Sequence, residues 1–490
     1  MAYFLLLKTL STDCACIGVL RNFQYVNIRS AFIFSDRLVG GTNLKVKLSF
    51  SAYLVIGFML FALFFGAGNL IFPATLGQNA GTNFWPAISG FLITGIGLPF
   101  LGILAIGMSG SENLQVLASR VHPIYAVIFT VLLYFTIGPF FAGPRTGAVA
   151  YEIGIAPFVR DGADQIGMLV FTFIFFGVTL LFSLYPTKIV DIVGKVLAPA
   201  IILLILVLLA TVVINPIGSF QEPQGAYVQS AFSQGFLEGY NTMDALSSLV
   251  FGIIVINVVK NMGVTSTKGI LSTTAKAGFV SIAFLGVIYI GIAYLGAVIT
   301  EEYGLFETGG PILSHATTHY FGTFGAVLLA VIIILACLTT CIGLITACGG
   351  YMHTLVPRVS YKLFAVFFSL LSFIIANFGL ENIIRFSIPV LMFLYPLAIV
   401  LMILTCISPL IRESRLVYQS TIVITIFISS IDGLKAYCQQ VERPYFEWMA
   451  PIISFYETYL PFYKGGLGWL VPAILVMIVT SLFSLILRRR

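Results

Sequence analysis

The sequence predicts an all-α polytopic membrane protein with about twelve transmembrane helices. Three observations carry that expectation. Of 490 residues, 59% are hydrophobic and only 9% charged, with a mean hydropathy of +1.04, a composition foreign to water-soluble globules of ordinary make-up. Apolar runs of about 20 residues, enough to cross roughly 30 Å of hydrocarbon, recur from Ser51 to Leu487. The runs also lack the two-residue alternation of barrel strands, which leaves helices to satisfy the backbone in lipid.

In order, the apolar cores are 51–76, 85–108, 123–149, 167–184, 188–213, 232–258, 277–299, 324–348, 361–376, 383–405, 419–436 and 469–487. The charges between them alternate. One set of loops carries Lys45, Lys47, Arg120, Lys188, Lys195, Lys260, Lys268, Lys276, Arg358, Lys362, Arg412, Arg415 and the terminal Arg488, Arg489 and Arg490. The other set is poor in cations: Arg160 stands beside Asp161 and Asp164, Glu222 is alone, and Glu301, Glu302 and Glu307 have no Lys. Cations gather on the cytoplasmic side, so both termini are expected there, which requires an even number of spans. The formal charge of +6 reflects this sidedness and calls for no nucleic-acid partner.

Of seven cysteines, Cys14 and Cys16 precede the first span, and Cys337, Cys341 and Cys348 share one helix. Their spacing matches neither a disulfide framework nor a metal site, and small buried packing groups are expected. Residues 1–44 mix short apolar stretches with Arg21, Arg29 and Arg37, too broken to span and without a cleavage signal. They are expected to be an extension outside the native protein, with translation beginning near Leu44.

Two of the runs are interrupted. Gly66, Ala67, Gly68 and Asn69 sit inside the first, where a regular helix is otherwise required. A broken helix in lipid frees N–H groups that suit an anion and carbonyls that suit a cation. Gly66 and Gly68 permit the turn and a close approach, while Asn69 adds an amide. Helix packing alone is the other use of such small residues. The sixth run crowds Glu238, Gly239, Tyr240, Asn241, Thr242 and Asp244 into its outer half, and acids at that depth mark a functional site by default. The alternative is a span that starts near Ala245 and leaves the acids in a loop. The two interruptions lie about 170 residues and five spans apart, so the second copy runs in the opposite direction, the pattern of an inverted repeat with paired broken helices.

The stretches MLFALFFGAGNLIFPATLGQNAG, IGPFFAGPRTGAVAYEIG, EGYNTMDALSSLVFGI and LACLTTCIGLITACGGY resemble the bacterial branched-chain amino acid:cation symporter family, within the wider amino acid-polyamine-organocation superfamily. The resemblance runs from Lys45 to the last span. It implies uptake of leucine, isoleucine and valine with Na⁺, or a proton in some relatives. It also implies a LeuT-like fold of five spans plus five inverted, with helices 1 and 6 broken, and two C-terminal helices. On that plan residues 45–213 form the first repeat, 214–405 the second, and 406–490 the two additional helices and a basic tail.

Carried onto this chain, the resemblance places the substrate carboxylate on the amides of Ala67 and Gly68 and turns the carbonyls of Ala62 and Phe65 toward the cation. Ala336, Thr339 and Thr340 fall at i, i+3 and i+4 on the eighth span, one helix face, and resemble the superfamily's sodium site. Read alone, the threonines equally suit hydroxyls bonded back to their own helix. The substrate amino group would meet carbonyls freed around Gly239, Tyr240 and Asn241, with Glu238 as a charged candidate further out. Glu238 could instead pair with Arg145 of the third span, a cation hard to bury alone. Tyr134, Phe135, Phe65 and Phe236 are available for an aliphatic tail, though aromatics at helical spacing usually pack.

His315 and His319 read as a solvated pair on the outer loop after the seventh span rather than a proton relay, which favours Na⁺ over H⁺ as the coupling ion. No organic or covalent cofactor and no obligate protein partner is implied. The partners expected are the amino acid, Na⁺ and membrane lipid, in a bacterial cytoplasmic membrane. A channel would want a continuous polar stripe, and an enzyme a nucleophile–base pair or metal cluster; neither pattern is present in the sequence.

Overall fold

The computed structural model describes residues 48–111, 113–159, 164–184 and 198–487. The expected extension at 1–44, the loop cations Lys188 and Lys195, and the terminal arginines lie outside the described residues. Helix α1 (Phe50–Phe64) opens on Ser49, whose hydroxyl accepts the Ala52 N–H at 3.2 Å, and a break separates it from α2 (Ala67–Ala80). A tight turn leads to α3 (Phe84–Leu92), which a π turn at Ile93–Gly97 joins to α4 (Leu98–Ser109). The short α5 (Leu114–Ala118) precedes α6 (Pro123–Phe135) and α7 (Ala142–Gly154). Then come α8 (Asp164–Ser183), α9 (Ala198–Ile214), α10 (Tyr227–Glu238) and α11 (Asp244–Asn261). The remainder is α12 (Thr267–Tyr303), α13 (Gly309–Leu355), α14 (Tyr361–Ala376), α15 (Leu380–Cys406), α16 (Ser408–Ile411), α17 (Arg415–Gln440), α18 (Met449–Tyr459) and α19 (Leu470–Leu487).

No strand occurs among the described residues. Eight helical segments are long and apolar enough to cross a membrane, and four shorter apolar helices accompany them in α1, α9, α14 and α19. The chain is therefore an all-helical, multi-pass membrane protein.

Helices in lipid gain little from the hydrophobic effect against each other, so small residues that let backbones approach decide where they meet. A Cβ at Gly77 of α2 would collide with the backbone of Ala293 on α12, and one at Gly296 with the backbone of Ala74. The same device joins α3 to α10, where Gly90 lies against Phe232 and Gly235 against Ala87. These two contacts anchor one half of each interrupted segment, α2 against α12 and α10 against α3. Elsewhere α7 packs on α13, α8 on α14, and α15 on α17.

Two features depart from expectation. The third run, expected as one span at 123–149, is itself interrupted: a π turn at Thr136–Phe140 holds Gly138 at φ −99°, ψ −114°, and Phe141 sits at φ −130°, ψ −62° before α7 resumes. Pro139 cannot donate to the preceding turn and Gly138 tolerates the bend. Second, His315 and His319 lie not on a loop but on α13, which starts at Gly309 and bends at Gly322, φ 61°, ψ −158°. Both side chains are exposed; Tyr303 packs on the His315 ring at 5.2 Å, and its hydroxyl lies 3.1 Å from His319 Nδ1. Pro311, in the first turn, is the residue that suits such a helix start.

Candidate functional site

The first break is built by one side chain. In a continuous helix the Gly66 N–H would reach the Ala62 carbonyl and the Asn69 N–H the Phe65 carbonyl. Instead Phe65 turns to φ −72°, ψ 98° and Gly66 to φ −131°, ψ −164°. The Gly66 N–H donates to Asn69 Oδ1 at 3.0 Å, and the Asn69 N–H to the Gly66 carbonyl at 3.2 Å. The Ala62 and Phe65 carbonyls thereby lose their helical donors, and the N–H groups of Ala67 and Gly68 open α2 without acceptors in their own helix. Partial negative charge ends α1 and partial positive charge begins α2.

The second break follows α10. Gly239–Thr242 forms a 3₁₀ turn, and Met243 takes the left-handed region at φ 61°, ψ 10° before α11 begins at Asp244. A non-glycine residue pays steric strain there, which persists only where its surroundings enforce it. Asp244 is 4% exposed, so a span that begins late and leaves it in a solvated loop does not describe this structure. Its Oδ2 accepts from Asn69 Nδ2 at 2.5 Å and from the Tyr289 hydroxyl at 2.9 Å, and Asn69 Nδ2 also contacts that hydroxyl. Asn69 thus uses both ends of its amide, one to shape the first break and one to tie it to the second.

Arg145, on α7 and 2% exposed, reaches the same region. One terminal nitrogen donates to the Asn241 carbonyl and the other to Ser387 Oγ at 3.2 Å, while the guanidinium carbon lies 5.0 Å from the centre of the Phe72 ring. Its Nε has no hydrogen-bond partner. Glu238 takes its hydrogen bond from the Asn241 side chain, so Arg145 holds the turn at the second break through a carbonyl rather than through an ion pair with Glu238.

Between the breaks lies a cavity of about 30 Å³, small against the roughly 300 Å³ and more of sites that enclose a ligand. Gly66, Ala67, Gly68, Asn69 and Thr340 line it together with Arg145 and Asp244. Glu238, Gly239, Tyr240 and Asn241 do not: Tyr240 stacks on Tyr395 at 4.0 Å, Gly239 backs onto Thr94, and Asn241 is held by Arg145. Nor do the aromatics singled out from the sequence. Tyr134 stacks on Tyr351, Phe65 on Phe61, and Phe135 and Phe236 pack edgewise on Phe368 and Tyr240. The apolar wall includes Leu63, Phe64, Met243, Phe251 and Leu344. Helical spacing could have found two of these, since Phe251 lies seven residues after Asp244 and Leu344 four after Thr340, on the same faces.

The eighth-span group divides. Thr340 Oγ1 lies 3.5 Å from the Phe65 carbonyl, and a Cβ at Gly66 would stand 3.3 Å from the same hydroxyl. Thr339 donates to the Ala336 carbonyl at 2.9 Å, on its own helix. The structure therefore brings Phe65 and Thr340 together, while Thr339 and Ala336 are bonded to each other.

Residues 49–487 match the family model described as branched-chain amino acid transport protein. A branched-chain amino acid permease BrnQ of Bacillus subtilis is 46% identical over 428 residues, 87% of this chain and 96% of that protein. A permease of the same name from Lactobacillus delbrueckii is 43% identical, covering 91% and 100%. Among solved structures, MhsT in complex with L-phenylalanine aligns at a TM-score of 0.53 with 14% identity over 88% of this chain and 98% of its own. The inward-facing conformation of Mhp1 aligns at 0.53, also with 14% identity, over 87% and 90%. These two likenesses establish a shared fold. The interrupted helices stand within a chain that, along nearly its whole length, belongs to the branched-chain amino acid transport protein family, a family of transporters and not of enzymes.

Proposed function

We propose that this chain is a secondary active transporter that carries leucine, isoleucine and valine into a bacterial cell together with Na⁺. The observation that carries the reading is the pair of interrupted helices joined through Asn69 and Asp244, with open amides on one side of Gly66 and released carbonyls on the other. The N–H groups of Ala67 and Gly68 receive the substrate carboxylate. The aliphatic tail faces Leu63, Met243, Phe251 and Leu344. Na⁺ sits among oxygens of Ala62, Phe65, Ala336, Thr339 and Thr340, neutral ligands suited to a monovalent ion that must leave again. Oxygens without a fixed charge among them favour Na⁺ over a proton at this position, because a proton carrier needs a titratable group.

Eight long segments and four short apolar helices are compatible with twelve spans and cytoplasmic termini in the bacterial inner membrane. Exchange of packing partners supports two inverted five-helix units, 45–213 and 214–405, with 406–490 added. The first segment packs on α12 and its counterpart α10–α11 on α3–α4, while α9 meets α12 as α15 meets α4. Alternating access follows if Na⁺ ties α1 to α13 in an outward-open form and substrate then closes the outer path. The 30 Å³ cavity must widen to admit a leucine, so binding and helix movement are one event.

A proton-coupled or sodium-coupled carrier of another small neutral amino acid is the second reading; relatives named for branched-chain amino acids favour the first as to substrate. Counterflow of radiolabelled leucine in proteoliposomes, with and without a Na⁺ gradient, separates them. Na⁺-dependent exchange of leucine, isoleucine and valine is expected; exchange indifferent to Na⁺ but driven by a proton gradient would replace the coupling ion.

A further inference from the structure

We propose that Asp244 and Arg145 form a two-charge clamp for a zwitterion, with the Asp244 carboxylate taking the substrate ammonium and Arg145 Nε taking one oxygen of the substrate carboxylate. The inference deepens the amino-acid reading above and rests on it. Both side chains line the cavity between the breaks, and both are more than nine-tenths buried, at 4% and 2% exposure. Their hydrogen-bond and ring partners are neutral: Asn69, Tyr289 and Thr242 at Asp244, and the Asn241 carbonyl, Ser387 and the Phe72 ring at Arg145, on which the charge of Glu238 acts only at longer range. No ion pair within 4 Å neutralises either among the described residues.

A buried charge without a counter-charge is costly, and removing it from water is offset only by an opposite charge with good hydrogen bonds. Two such groups of opposite sign on one cavity leave a specific deficit. A cation relieves one and an anion the other; an amino acid zwitterion relieves both and adds no net charge. Arg145 Nε is a buried donor with nothing to donate to, and Asp244 takes the Asn69 and Tyr289 bonds on Oδ2 alone, so an ammonium would approach its other oxygen beside Thr242. The Ala67 and Gly68 amides then need supply only the second carboxylate oxygen. The polar end of the ligand is fixed at three points, and its tail is directed to the apolar wall.

Binding to the purified full-length protein in nanodiscs at saturating Na⁺ tests the clamp. The probes are leucine, 4-methylpentanoate, which lacks the ammonium, and 3-methylbutylamine, which lacks the carboxylate. Sites built to bond a polar group reject analogues lacking it by factors that reach roughly 10⁴, so wild-type protein is expected to bind each analogue at least about 100-fold more weakly than leucine. Asp244→Asn should weaken leucine by a similar factor while leaving 4-methylpentanoate unchanged or tighter. Arg145→Gln should do the same for leucine while sparing 3-methylbutylamine.

Equal loss of leucine and 4-methylpentanoate in Asp244→Asn would assign Asp244 a structural role and overturn the clamp, as would undiminished leucine binding in either variant. Should the variants fail to fold, wild-type affinity for 4-methylpentanoate matching that for leucine would overturn it alone. Wild-type protein that ignores leucine yet binds another zwitterionic amino acid with both analogue penalties upholds the clamp and rejects the branched-chain reading. Failure to bind any amino acid rejects both.

Discussion

The side-chain nitrogen of Asn69 lies 2.5 Å from a carboxylate oxygen of Asp244, a hydrogen bond across 175 residues of sequence. Through it the geometry of one interrupted helix is tied to the geometry of the other. Because the same Asn69 amide also accepts the Gly66 N–H, the first break cannot be reshaped without disturbing the second. Asn69→Ala should strand a buried N–H and remove a donor from Asp244, each worth about 1–3 kcal/mol. A lower melting temperature in detergent together with lost leucine binding is expected. Wild-type stability and binding in that variant would show the link to be dispensable.

Thr340 and Thr339 are adjacent but unequal. Thr340 faces the Phe65 carbonyl across the break, whereas Thr339 is bonded to Ala336 on its own helix. Thr340→Ala should raise the Na⁺ concentration for half-maximal leucine uptake by roughly 10-fold, the loss of one good oxygen ligand at about 1.4 kcal/mol, and Thr339→Ala should raise it less. Uptake measured against Na⁺ at constant ionic strength reads both. The reverse order would place the ion nearer Ala336.

Gly77 approaches the Ala293 backbone too closely for any side chain. Gly77→Val should therefore separate α2 from α12, at a cost of about 1–3 kcal/mol or more, and should lower the yield of monodisperse protein by size-exclusion chromatography. A monodisperse, active Gly77→Val protein would mean that the two helices can part without consequence.

Leu344 belongs to the apolar wall of the cavity. Leu344→Phe should narrow the space for a branched tail and weaken leucine relative to alanine by about 10-fold, the scale of one methylene in an apolar pocket. Competition of labelled leucine by unlabelled alanine measures the change. An unaltered ratio would move the tail to another wall.

What the sequence discloses follows from how polarity is distributed along a helix. Gly66 to Asn69 are legible because small and amide residues interrupt an apolar run, and Asp244 because an acid at that depth is conspicuous. The use of Asn69 as a brace between breaks is not legible: its partners Asp244 and Tyr289 are distant in sequence, and Tyr289, fully buried, reads as one aromatic among 22 tyrosines. The turn at Gly138–Phe141 carries a signal of its own in Gly138–Pro139, but the apolar run before it and Phe140, Phe141 and Ala142 carry hydropathy through it until Arg145. Proximity to the interruption points to Glu238, Gly239, Tyr240 and Asn241, yet a 3₁₀ turn points Tyr240 away toward Tyr395 and brings Thr242, Met243 and Asp244 to the cavity instead. Handedness at a single residue, Met243, makes that difference.

Cryo-electron microscopy of the protein in nanodiscs with leucine and Na⁺ tests the capture of substrate by the two breaks most directly. The result expected is leucine density with its carboxylate on the N–H groups of Ala67 and Gly68, its ammonium toward Asp244 and an ion between Phe65 and Thr340. Leucine bound elsewhere, or a first segment running through Phe65 and Gly66 as continuous helix with the ligand in place, would contradict it.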